Sequence, residues 1–571
     1  MTEHALLDGF DEFVSDLLKE WNVPGCAVAV VKNGEAILAR GYGLRDVEHN
    51  LPVTADTLFA IGSCTKAFTA LCLGMLVDEG RLDWDRPVRD YLTDFHLFDP
   101  VATERMTPRD LLCHRSGLPR HDMIWFATAY SRKELYARLR YLEPNKDLRT
   151  VWQYQNLMFM TAGVLLERIA DCSWEDFVRS RIFSPLGMQM SNLSVIDSQR
   201  VSDHARPYRE KDDQLTQIPF HNIDAIAPAG SINSSVNEMA HWLLMQLNNG
   251  KYGDHQLISE TVLREMHTPQ MVMPRGNPED KELGYPSYGL GWVINTYRGH
   301  LFIQHGGGID GFSALTTLLP EQHAGIVVLT NRDAGQVSGL ATLNLQDRLM
   351  GLEQVDWNRR GRERKEKAKQ AEKEARQKQA EQSLAQTSPA THPLADYAGT
   401  YEHAGYGSLT VTLAGEKLVA SYGRFQTPLQ HLHYDTFEGK WEDFDIKQAL
   451  QFHMDTEGNI VALSSALEVA GKAIEFKRVP DESLRERGVL ACYIGQYEVA
   501  GMTASVTLRG EETLVLTVPG QPPYELLPVE RLHFKLKGLE GFSIEFRLAD
   551  NNQVTEAILH QPNGDFTAKR K

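Results

Sequence analysis

One segment of this 571-residue chain lacks the side chains that a hydrophobic core requires. Residues 359–382 consist almost entirely of Arg, Lys, Glu, Gln and Ala, a composition that favours a solvated helix. Residues 383–393 contain two prolines and are typical of a loose tether. Residues 356–393 are therefore predicted to form a charged helical linker between two separately folding parts. A basic nucleic-acid-binding segment is the less favoured alternative.

The overall composition is that of a folded protein with an acidic surface. Hydrophobic residues make up 42% and charged residues 24%, and the formal net charge is −17. These values exclude global disorder and disfavour binding to nucleic acid or to anionic membranes. The sequence shows neither a run of about 18 apolar residues nor a signal-peptide pattern at its start. We therefore expect a cytoplasmic protein with no membrane partner.

The cysteines are six in number and form no C-x-x-C pair. An even number permits disulfides, but most of these residues lie in apolar runs of a chain without an export signal, so buried free thiols are favoured. The six are Cys26, Cys64, Cys72, Cys113, Cys172 and Cys492.

Residues 1–355 are predicted to be one α+β domain. Two β-rich runs flank Asn33-Gly34, a strong hairpin signal, and two further strands are predicted to begin near Ser313 and Gly325. Between these ends lie helical stretches, including a helix from Cys64 that Gly80 should stop. Strands from both ends around a helical middle predict an antiparallel sheet with a helical insert.

The C-terminal part contains an internal repeat with an offset of 96 residues. Leu394-Ala-Asp-Tyr-Ala-Gly-Thr-Tyr-Glu matches Leu490-Ala-Cys-Tyr-Ile-Gly-Gln-Tyr-Glu, and both copies continue as short alternating runs separated by turns. Residues 394–482 and 488–571 are each long enough for a small closed antiparallel barrel of the lipocalin-like type. We therefore predict two β-barrel modules.

The chemistry-bearing residues begin with Ser63-Cys-Thr-Lys66 at the start of the predicted helix. Ser63 and Lys66 are three residues apart and would share one helix face. A desolvated lysine can serve as the base that a serine nucleophile needs, and the helix N-terminus offers free N–H groups to a developing oxyanion. This spacing also arises by chance, so by itself it indicates little.

Two further motifs follow in order. Tyr154-Gln-Asn156 is a polar tripeptide inside an apolar run, and His305-Gly-Gly307-Gly308 ends the apolar run 301–304. The glycines would let a substrate lie against the strand edge. Taken singly, Tyr154 is more often a core aromatic and His305 more often a satisfied strand-end histidine.

Together the three motifs resemble S-x-x-K, Y-x-N and [KH]-[TSG]-G of the serine β-lactamase and penicillin-binding-protein superfamily. The resemblance is to the branch of class C β-lactamases, D-aminopeptidases and family VIII esterases (peptidase family S12). It covers residues 10–350 and includes four framework phrases: Met106-Thr-Pro-Arg-Asp-Leu-Leu-Cys-His-Arg-Ser-Gly-Leu-Pro, Ser184-Pro-Leu-Gly-Met, Ala227-Pro-Ala-Gly-Ser-Ile and Tyr288-Gly-Leu-Gly-Trp.

The resemblance implies a role for each motif residue. Ser63 would be the acylated nucleophile, and Lys66 and Tyr154 would share the proton transfers. Asn156 would hold Lys66 and the substrate amide, while His305 would stand near Tyr154 and keep its phenol poised. Backbone N–H groups of Ser63 and Gly308, beside Gly307, would bind the oxyanion.

The third motif departs from the β-lactamase pattern of Lys followed by Thr. His305 is followed by Gly306, so the hydroxyl is missing and the charge is only partial at neutral pH. A weaker carboxylate contact should disfavour β-lactams and free C-termini. Together with the repeat, this departure resembles D-aminopeptidases that carry two C-terminal barrels.

The predicted function is thus that of a D-aminopeptidase-like serine hydrolase, which forms an acyl-enzyme on small amides or short peptides. A family VIII-type carboxylesterase, a weak β-lactamase and a non-catalytic scaffold remain as alternatives. An α/β-hydrolase is rejected because no G-x-S-x-G follows the His-Gly-Gly-Gly run. No metal or nucleotide motif is present, so no cofactor is expected. Self-association is left open.

Overall fold

The structure is a computed structural model that describes residues 6–211, 214–333, 335–384, 388–441, 446–467, 471–480, 484, 486–499, 501–510, 512–549 and 553–571. Parts of the predicted tether (385–387) and of the end of the first predicted module (481–482) lie outside these residues. The chain divides into two compact units, one with a nine-stranded sheet and its helices and one with two barrels. Within the described ranges, every helix is too short or too polar to pass through a bilayer.

The large sheet joins strands from both ends of the first unit. The strand Gly25–Lys32 turns at Asn33-Gly34 into Glu35–Asp46, and the two turn residues have φ of 51° and 89°, as a two-residue hairpin loop requires. On its other edge, Gly25–Lys32 pairs with Ala324–Thr330. All neighbours are antiparallel, in the order Met271–Val272, Ser287–Tyr288, Val293–Tyr297, His300–Ile309, Phe312–Leu319, Ala324–Thr330, Gly25–Lys32, Glu35–Asp46 and Leu51–Pro52. The predicted sheet is confirmed.

Helices cover both faces of this sheet, which explains why its central strand is apolar along nearly its whole length. The helices Phe10–Glu20 and Val337–Leu349 share a buried cluster with Val28 and Val30 on one face. On the other face, Leu243 of the helix Val236–Leu247 lies beside Val31.

The helical insert stands between the strands Leu51–Pro52 and Met271–Val272. Its longest helices are Thr65–Asp78 and Asn156–Ala170, and the first is buried on every side because other helices of the insert surround it. The shorter helices of the unit are Pro100–Arg105, Pro108–Leu112, Met123–Phe126, Arg132–Arg138, Trp174–Val178, Ser184–Leu186, Val195–Ser198, Ala227–Gly230 and Glu260–Met266, with a π turn at Arg179–Phe183 and 3₁₀ turns at Gly62–Cys64, Val88–Asp90, Leu139–Tyr141, Asp224–Ile226 and Pro320–Gln322. Small antiparallel pairs join Phe59–Ala60 to Asn233–Ser234, Tyr208–Lys211 to Gln214–Gln217, and Lys251–Tyr252 to His255–Gln256.

The charged segment forms the helix Trp357–Leu384, as its composition predicted. It belongs to the first unit, to which its first residue anchors it. Trp357 is 5% exposed and donates its indole N–H to Tyr297 Oη at 3.0 Å. The start of the linker is therefore packed against the domain that precedes it.

The second unit holds two closed, eight-stranded antiparallel barrels, which confirms the predicted architecture. The first consists of Gly399–His403, Gly407–Ala414, Lys417–Tyr422, Phe425–His433, Thr436–Trp441, Ile446–Met454, Ile460–Ser465 and Ile474–Val479. The second consists of Gly495–Val499, Met502–Arg509, Thr513–Thr517, Tyr524–Glu530, His533–Leu536, Ser543–Leu548, Val554–Gln561 and Gly564–Arg570. The helices Leu394–Tyr397 and Arg487–Leu490, the latter continued by a 3₁₀ turn at Ala491–Tyr493, precede them.

Each copy of the sequence repeat makes the same contact. Tyr401 donates its hydroxyl to the carbonyl of Tyr397 at 2.8 Å, and Tyr497 donates to the carbonyl of Tyr493 at 2.7 Å. The four rings are buried inside their barrels. The repeat seen in the sequence is thus a repeated aromatic plug, with which eight-stranded barrels are filled.

Candidate active site

Ser63 lies in the 3₁₀ turn Gly62–Cys64, directly before the buried helix Thr65–Asp78. Gly62 has φ of 51°, and a Cβ there would stand only 2.9 Å from the backbone N of Gly308. Only glycine combines this backbone angle with so close an approach. The turn thereby places Ser63 against the strand of the third motif.

That strand, His300–Ile309, contacts the turn Gly62–Cys64 through its glycines. A Cβ on Gly307 would collide with the carbonyl oxygen of Ile61 and would stand 3.2 Å from the backbone N of Ser63. The Cys64 thiol donates to the carbonyl of His305 at 3.1 Å, which adds a second link. The backbone N atoms of Ser63 and Gly308 thus lie within the same contact region, where an oxyanion could be bound.

Lys66 is fully buried one helical turn after the serine. Its Nζ lies 3.1 Å from Ser63 Oγ and donates to Asn156 Oδ1 and to the carbonyl of Ala229, each at 2.7 Å. Burial, reinforced by the Arg120 guanidinium, holds the pKa of Lys66 well below its usual value. The site therefore favours a neutral amine next to the serine hydroxyl.

Asn156 is the first residue of its helix, where Gln155 caps the helix by accepting a hydrogen bond from Leu157 N–H at 2.8 Å. While Asn156 Oδ1 accepts from Lys66, its Nδ2 donates to Asp122 Oδ1 at 2.9 Å. Because one end of the amide faces an amine and the other a carboxylate, its orientation is fixed. The expected contact between Asn156 and Lys66 is present.

Tyr154 stands over the lysine. Lys66 Nζ is 4.7 Å from the centre of the phenol ring, and the guanidinium of Arg120 is 4.9 Å from it. The ring of His114 packs on it with centroids 4.2 Å apart. Burial raises the pKa of Tyr154 above its usual value, and a hydrogen bond with Ser63 acts in the opposite direction. The phenol is therefore protonated and lies next to the Ser63 hydroxyl.

His305 makes its hydrogen bonds with groups other than Tyr154. Its Nδ1 donates to the carbonyl of Gly306 at 2.7 Å, so Nε2 is the acceptor for the hydroxyl of Tyr288 at 2.8 Å. Burial, with Lys66 adding to it, lowers the pKa of His305 to about 3. His305 is therefore neutral rather than partly charged. Its ring centroid lies 6.5 Å from that of Tyr154, with Tyr288 as its hydrogen-bond partner instead.

Several residues of the site were not singled out from the sequence. His114, Ala229 and Tyr288 fall inside the framework phrases, and Arg120 and Asp122 follow the first of those phrases directly. Arg120 and Asp122 form an ion pair at 2.5 Å beside Asn156 and Tyr154. The framework phrases could have indicated that these residues belong to the site, but they do not indicate which groups the residues contact.

The antiparallel sheet, its helical insert and a serine at the start of a buried helix together define a serine hydrolase with a β-lactamase-like fold. The chain belongs to the β-lactamase family, whose family model, described as Beta-lactamase, matches residues 10–350. A second model, described as a domain of unknown function (DUF3471), matches residues 385–478.

Relatives and solved structures agree with this assignment. The chain is 31% identical over 441 residues to unguisins hydrolase ungD' of Aspergillus campestris (strain IBT 28561), which covers 74% of this chain and 81% of the relative. Its fold is similar to that of an octameric penicillin-binding protein homologue from Pyrococcus abyssi (22% identity, TM-score 0.56, covering 84% of this chain and 100% of that one). It is also similar to that of a D-amino acid amidase from Ochrobactrum anthropi SV3 (24% identity, TM-score 0.50, covering 60% and 97%).

Proposed function

We propose that this serine hydrolase cleaves small amides or short peptides through an acyl-enzyme on Ser63, with a preference resembling that of D-aminopeptidases. The observation that carries the proposal is the set of groups around Lys66 Nζ: the Ser63 hydroxyl, the Asn156 side-chain oxygen and the Ala229 carbonyl. An ammonium would donate to all three. A neutral amine has two protons and one lone pair, which suits two carbonyl oxygens at 2.7 Å and one hydroxyl at 3.1 Å.

In the first step, Ser63 Oγ attacks the substrate carbonyl carbon while its proton passes to the lone pair of Lys66. The tetrahedral oxyanion accepts hydrogen bonds from the backbone N–H groups of Ser63 and Gly308. Collapse of this intermediate breaks the carbon–nitrogen bond, and the leaving amine takes a proton that Lys66 and Tyr154 relay. The products of the step are the free amine and a Ser63 ester.

In the second step, water attacks the ester carbonyl and gives a proton to the same pair of groups. The carbon–oxygen bond to Ser63 then breaks, and the serine hydroxyl recovers its proton. The buried phenol supports this shared role because its raised pKa keeps it protonated between turnovers. An ester substrate follows the same path with an alcohol in place of the amine, so a carboxylesterase activity is compatible with the site.

The charges of the site support uncharged substrate ends rather than carboxylates. His305 is neutral and committed to Tyr288 and to the Gly306 carbonyl, and the amine of Lys66 is buried. The Arg120 cation is paired with Asp122. A carboxylate next to the scissile bond would thus lack the charge-assisted contact that β-lactam and carboxypeptidase substrates use.

The test is hydrolysis by the purified protein beside its Ser63→Ala variant. The panel contains D- and L-aminoacyl p-nitroanilides, p-nitrophenyl butyrate, nitrocefin and unguisins, the last because of the relative's name. Ser63-dependent cleavage of D-anilides is expected. Cleavage of the ester alone would make the enzyme a carboxylesterase, and fast nitrocefin turnover would contradict the argument from charge. Inactivity together with absent fluorophosphonate labelling would overturn the proposal in favour of a scaffold.

Self-association is a further part of the proposal, since a protein of similar fold is octameric. Light scattering coupled to gel filtration measures the mass of the particle. A mass near the 64.4 kDa of one chain would contradict a homo-oligomer.

A further inference from the structure

We propose that His114 is a positioning residue that holds the Tyr154 phenol next to Ser63. The inference rests on the proposed function, because it concerns how the proton-transferring group of that function is kept in place. His114 is fully buried and touches neither the serine nor the lysine by a hydrogen bond in the described part of the chain. Its contacts are instead with the segment that carries Tyr154.

That segment has no regular structure of its own. Residues 152–155 belong to neither a helix nor a strand, so no ladder of hydrogen bonds fixes their backbone. His114 binds them on both sides of the tyrosine. Gln153 N–H donates to the His114 carbonyl at 2.8 Å, and Gln155 N–H donates to His114 Nδ1 at 3.0 Å. One residue thus holds the peptide groups before and after Tyr154.

The imidazole also limits where the phenol can go. Its centroid is 4.2 Å from that of the Tyr154 ring, at an interplanar angle of 34°, and 4.6 Å from that of Tyr288. Rings at these separations are in van der Waals contact. Since Tyr288 is itself hydrogen bonded to His305 at 2.8 Å, the imidazole is confined between the two tyrosines. Movement of the Tyr154 ring toward the imidazole is therefore blocked unless His114 moves as well.

The backbone of His114 turns its hydrogen-bonding groups toward the Tyr154 segment. Its φ is 60°, in the left-handed region where His, like Asn and Asp, is enriched among non-glycine residues. This conformation presents both its carbonyl and its Nδ1 to residues 153–155. A buried hydrophobic residue could fill the same space, but it would leave the Gln155 N–H without its acceptor.

Two substitutions of His114 distinguish the contribution of Nδ1, as a hydrogen-bond acceptor, from that of the ring, as bulk. Phenylalanine keeps a ring of similar size and removes Nδ1. Asparagine removes the ring, but its side-chain oxygen can replace Nδ1, and it tolerates the left-handed backbone. If His114 acts mainly by holding Gln155, His114→Asn retains more activity than His114→Phe. If it acts by bulk alone, the order is reversed.

The experiment measures kcat and KM on the panel substrate that the wild type cleaves fastest. We expect His114→Phe to lower kcat by about 10- to 10³-fold with KM within about threefold, and by less than Tyr154→Phe does. His114→Asn should recover to within about tenfold of the wild type. In the double variant His114→Phe/Tyr154→Phe, kcat should equal that of Tyr154→Phe within about twofold, because the hydroxyl that His114 positions is already absent.

His267→Phe is the matched control. This histidine packs edge-on against Trp292, with centroids 5.5 Å apart, and burial lowers its pKa to about 4, but it has no contact with the Tyr154 segment among the described residues. It should retain wild-type kcat. If His114→Phe does not fold, the pair His114→Asn and His114→Ala repeats the test with smaller side chains.

The outcomes separate this inference from the proposed function. Suppose that the wild type is active and that its activity depends on Ser63. A double variant much slower than Tyr154→Phe would then overturn the positioning role and leave the proposed function intact, and so would a His114→Phe variant at full rate. A wild type that neither turns over the panel nor reacts with fluorophosphonate would overturn both. The positioning role is supported if the effects of His114→Phe and Tyr154→Phe on kcat are not additive and His114→Asn recovers most of the activity.

Discussion

The catalytic centre and the barrel interiors both bury tyrosines, but they satisfy them differently. In each barrel one buried tyrosine donates its hydroxyl to the backbone carbonyl four residues earlier, as Tyr401 does to Tyr397 and Tyr497 does to Tyr493. The same contact recurs in both copies and is local in sequence. In the catalytic centre, Tyr154 contacts Ser63 and Lys66, which lie about 90 residues away along the chain.

The difference shows which buried polar groups serve stability and which serve chemistry. A hydroxyl on a fixed backbone acceptor has one possible arrangement and cannot exchange its proton with a neighbour. The amine, the hydroxyl and the phenol around Ser63 can each donate or accept, and burial moves the pKa of Lys66 down and that of Tyr154 up. Tyr401 and Tyr497 thus fill their barrels, whereas Tyr154 has the surroundings that the proposed acid–base role requires.

The largest effect should follow from Ser63→Ala. Removal of the nucleophile prevents the acyl-enzyme, so hydrolysis should fall to background on every substrate. The melting temperature should stay within a few degrees of the wild type, because Ser63 is only half-buried and the turn depends on Gly62 instead. Fluorophosphonate labelling followed by mass spectrometry measures the loss of the nucleophile directly.

If Ser63→Ala were still labelled, the nucleophile would lie elsewhere. The contrast between the candidate active site and the barrel interiors would then no longer hold. Ser116→Ala is a suitable control, since Ser116 is a buried serine of the same domain and should leave the labelled site unchanged.

Lys66→Ala and Tyr154→Phe should each lower kcat by about 10²- to 10⁴-fold, the usual contribution of a positioned acid–base group. Lys66→Ala also leaves the Asn156 and Ala229 oxygens without their donor, so it should destabilise the domain as well. Tyr154→Phe keeps the ring contacts and should melt near the wild type. Steady-state kinetics and thermal denaturation on the same samples separate the two effects. If Tyr154→Phe retained the full rate, Tyr154 would have a structural role only, like the barrel tyrosines.

Much of the fold was predictable from local patterns. The hairpin at Asn33-Gly34 follows from the turn that this dipeptide favours, and the repeat at 394 and 490 predicted two copies of one module. The helix was predicted from Cys64 and begins at Thr65, because the residues before it form a 3₁₀ turn. That other helices of the insert enclose it on all sides depends on distant parts of the chain and could not be predicted locally.

The partners within the site were less predictable, because each depends on where distant elements meet. The i, i+3 spacing placed Lys66 beside Ser63, but nothing local indicates that Asp122 fixes the Asn156 amide. His305 was expected to stand near Tyr154, and the two ring centroids are 6.5 Å apart, but the spacing gave no sign that the Tyr288 hydroxyl, from another strand, would bind its Nε2. Such pairings follow from the packing of the sheet against the insert and not from sequence spacing.

The pH dependence of stability gives a smaller effect that also distinguishes the regions. Because His305 titrates at about 3 in the folded chain and near about 6.5 in the unfolded one, the unfolded state binds more protons between these values. Stability is therefore complete above about pH 6.5 and falls as the pH decreases, by at most about 1.4 kcal/mol per pH unit for this one group.

The comparison of wild type with His305→Gln isolates this contribution, since glutamine can still accept the Tyr288 hydroxyl but does not titrate. The melting temperature of the wild type should approach that of the variant as the pH is lowered from 7.5 to about 5. An exposed histidine makes the matched control: His255→Gln should shift the melting temperature equally at every pH. A constant difference for His305→Gln would mean that His305 binds a proton as readily in the folded protein as in the unfolded one, which would contradict its lowered pKa.

The smallest effect should come from the barrels. Tyr401→Phe and Tyr497→Phe each remove one buried hydrogen bond and should each lower the free energy of unfolding of their barrel by about 1 kcal/mol, with kcat/KM unchanged. Urea titration followed by tryptophan and circular dichroism signals measures the loss. Tyr434→Phe, at a residue 61% exposed, is the control and should have no effect. Because the two barrels make the same contact, equal losses are expected; a loss of catalysis with either variant would mean that a barrel tyrosine serves the reaction, and the division between plug and acid–base group would no longer hold.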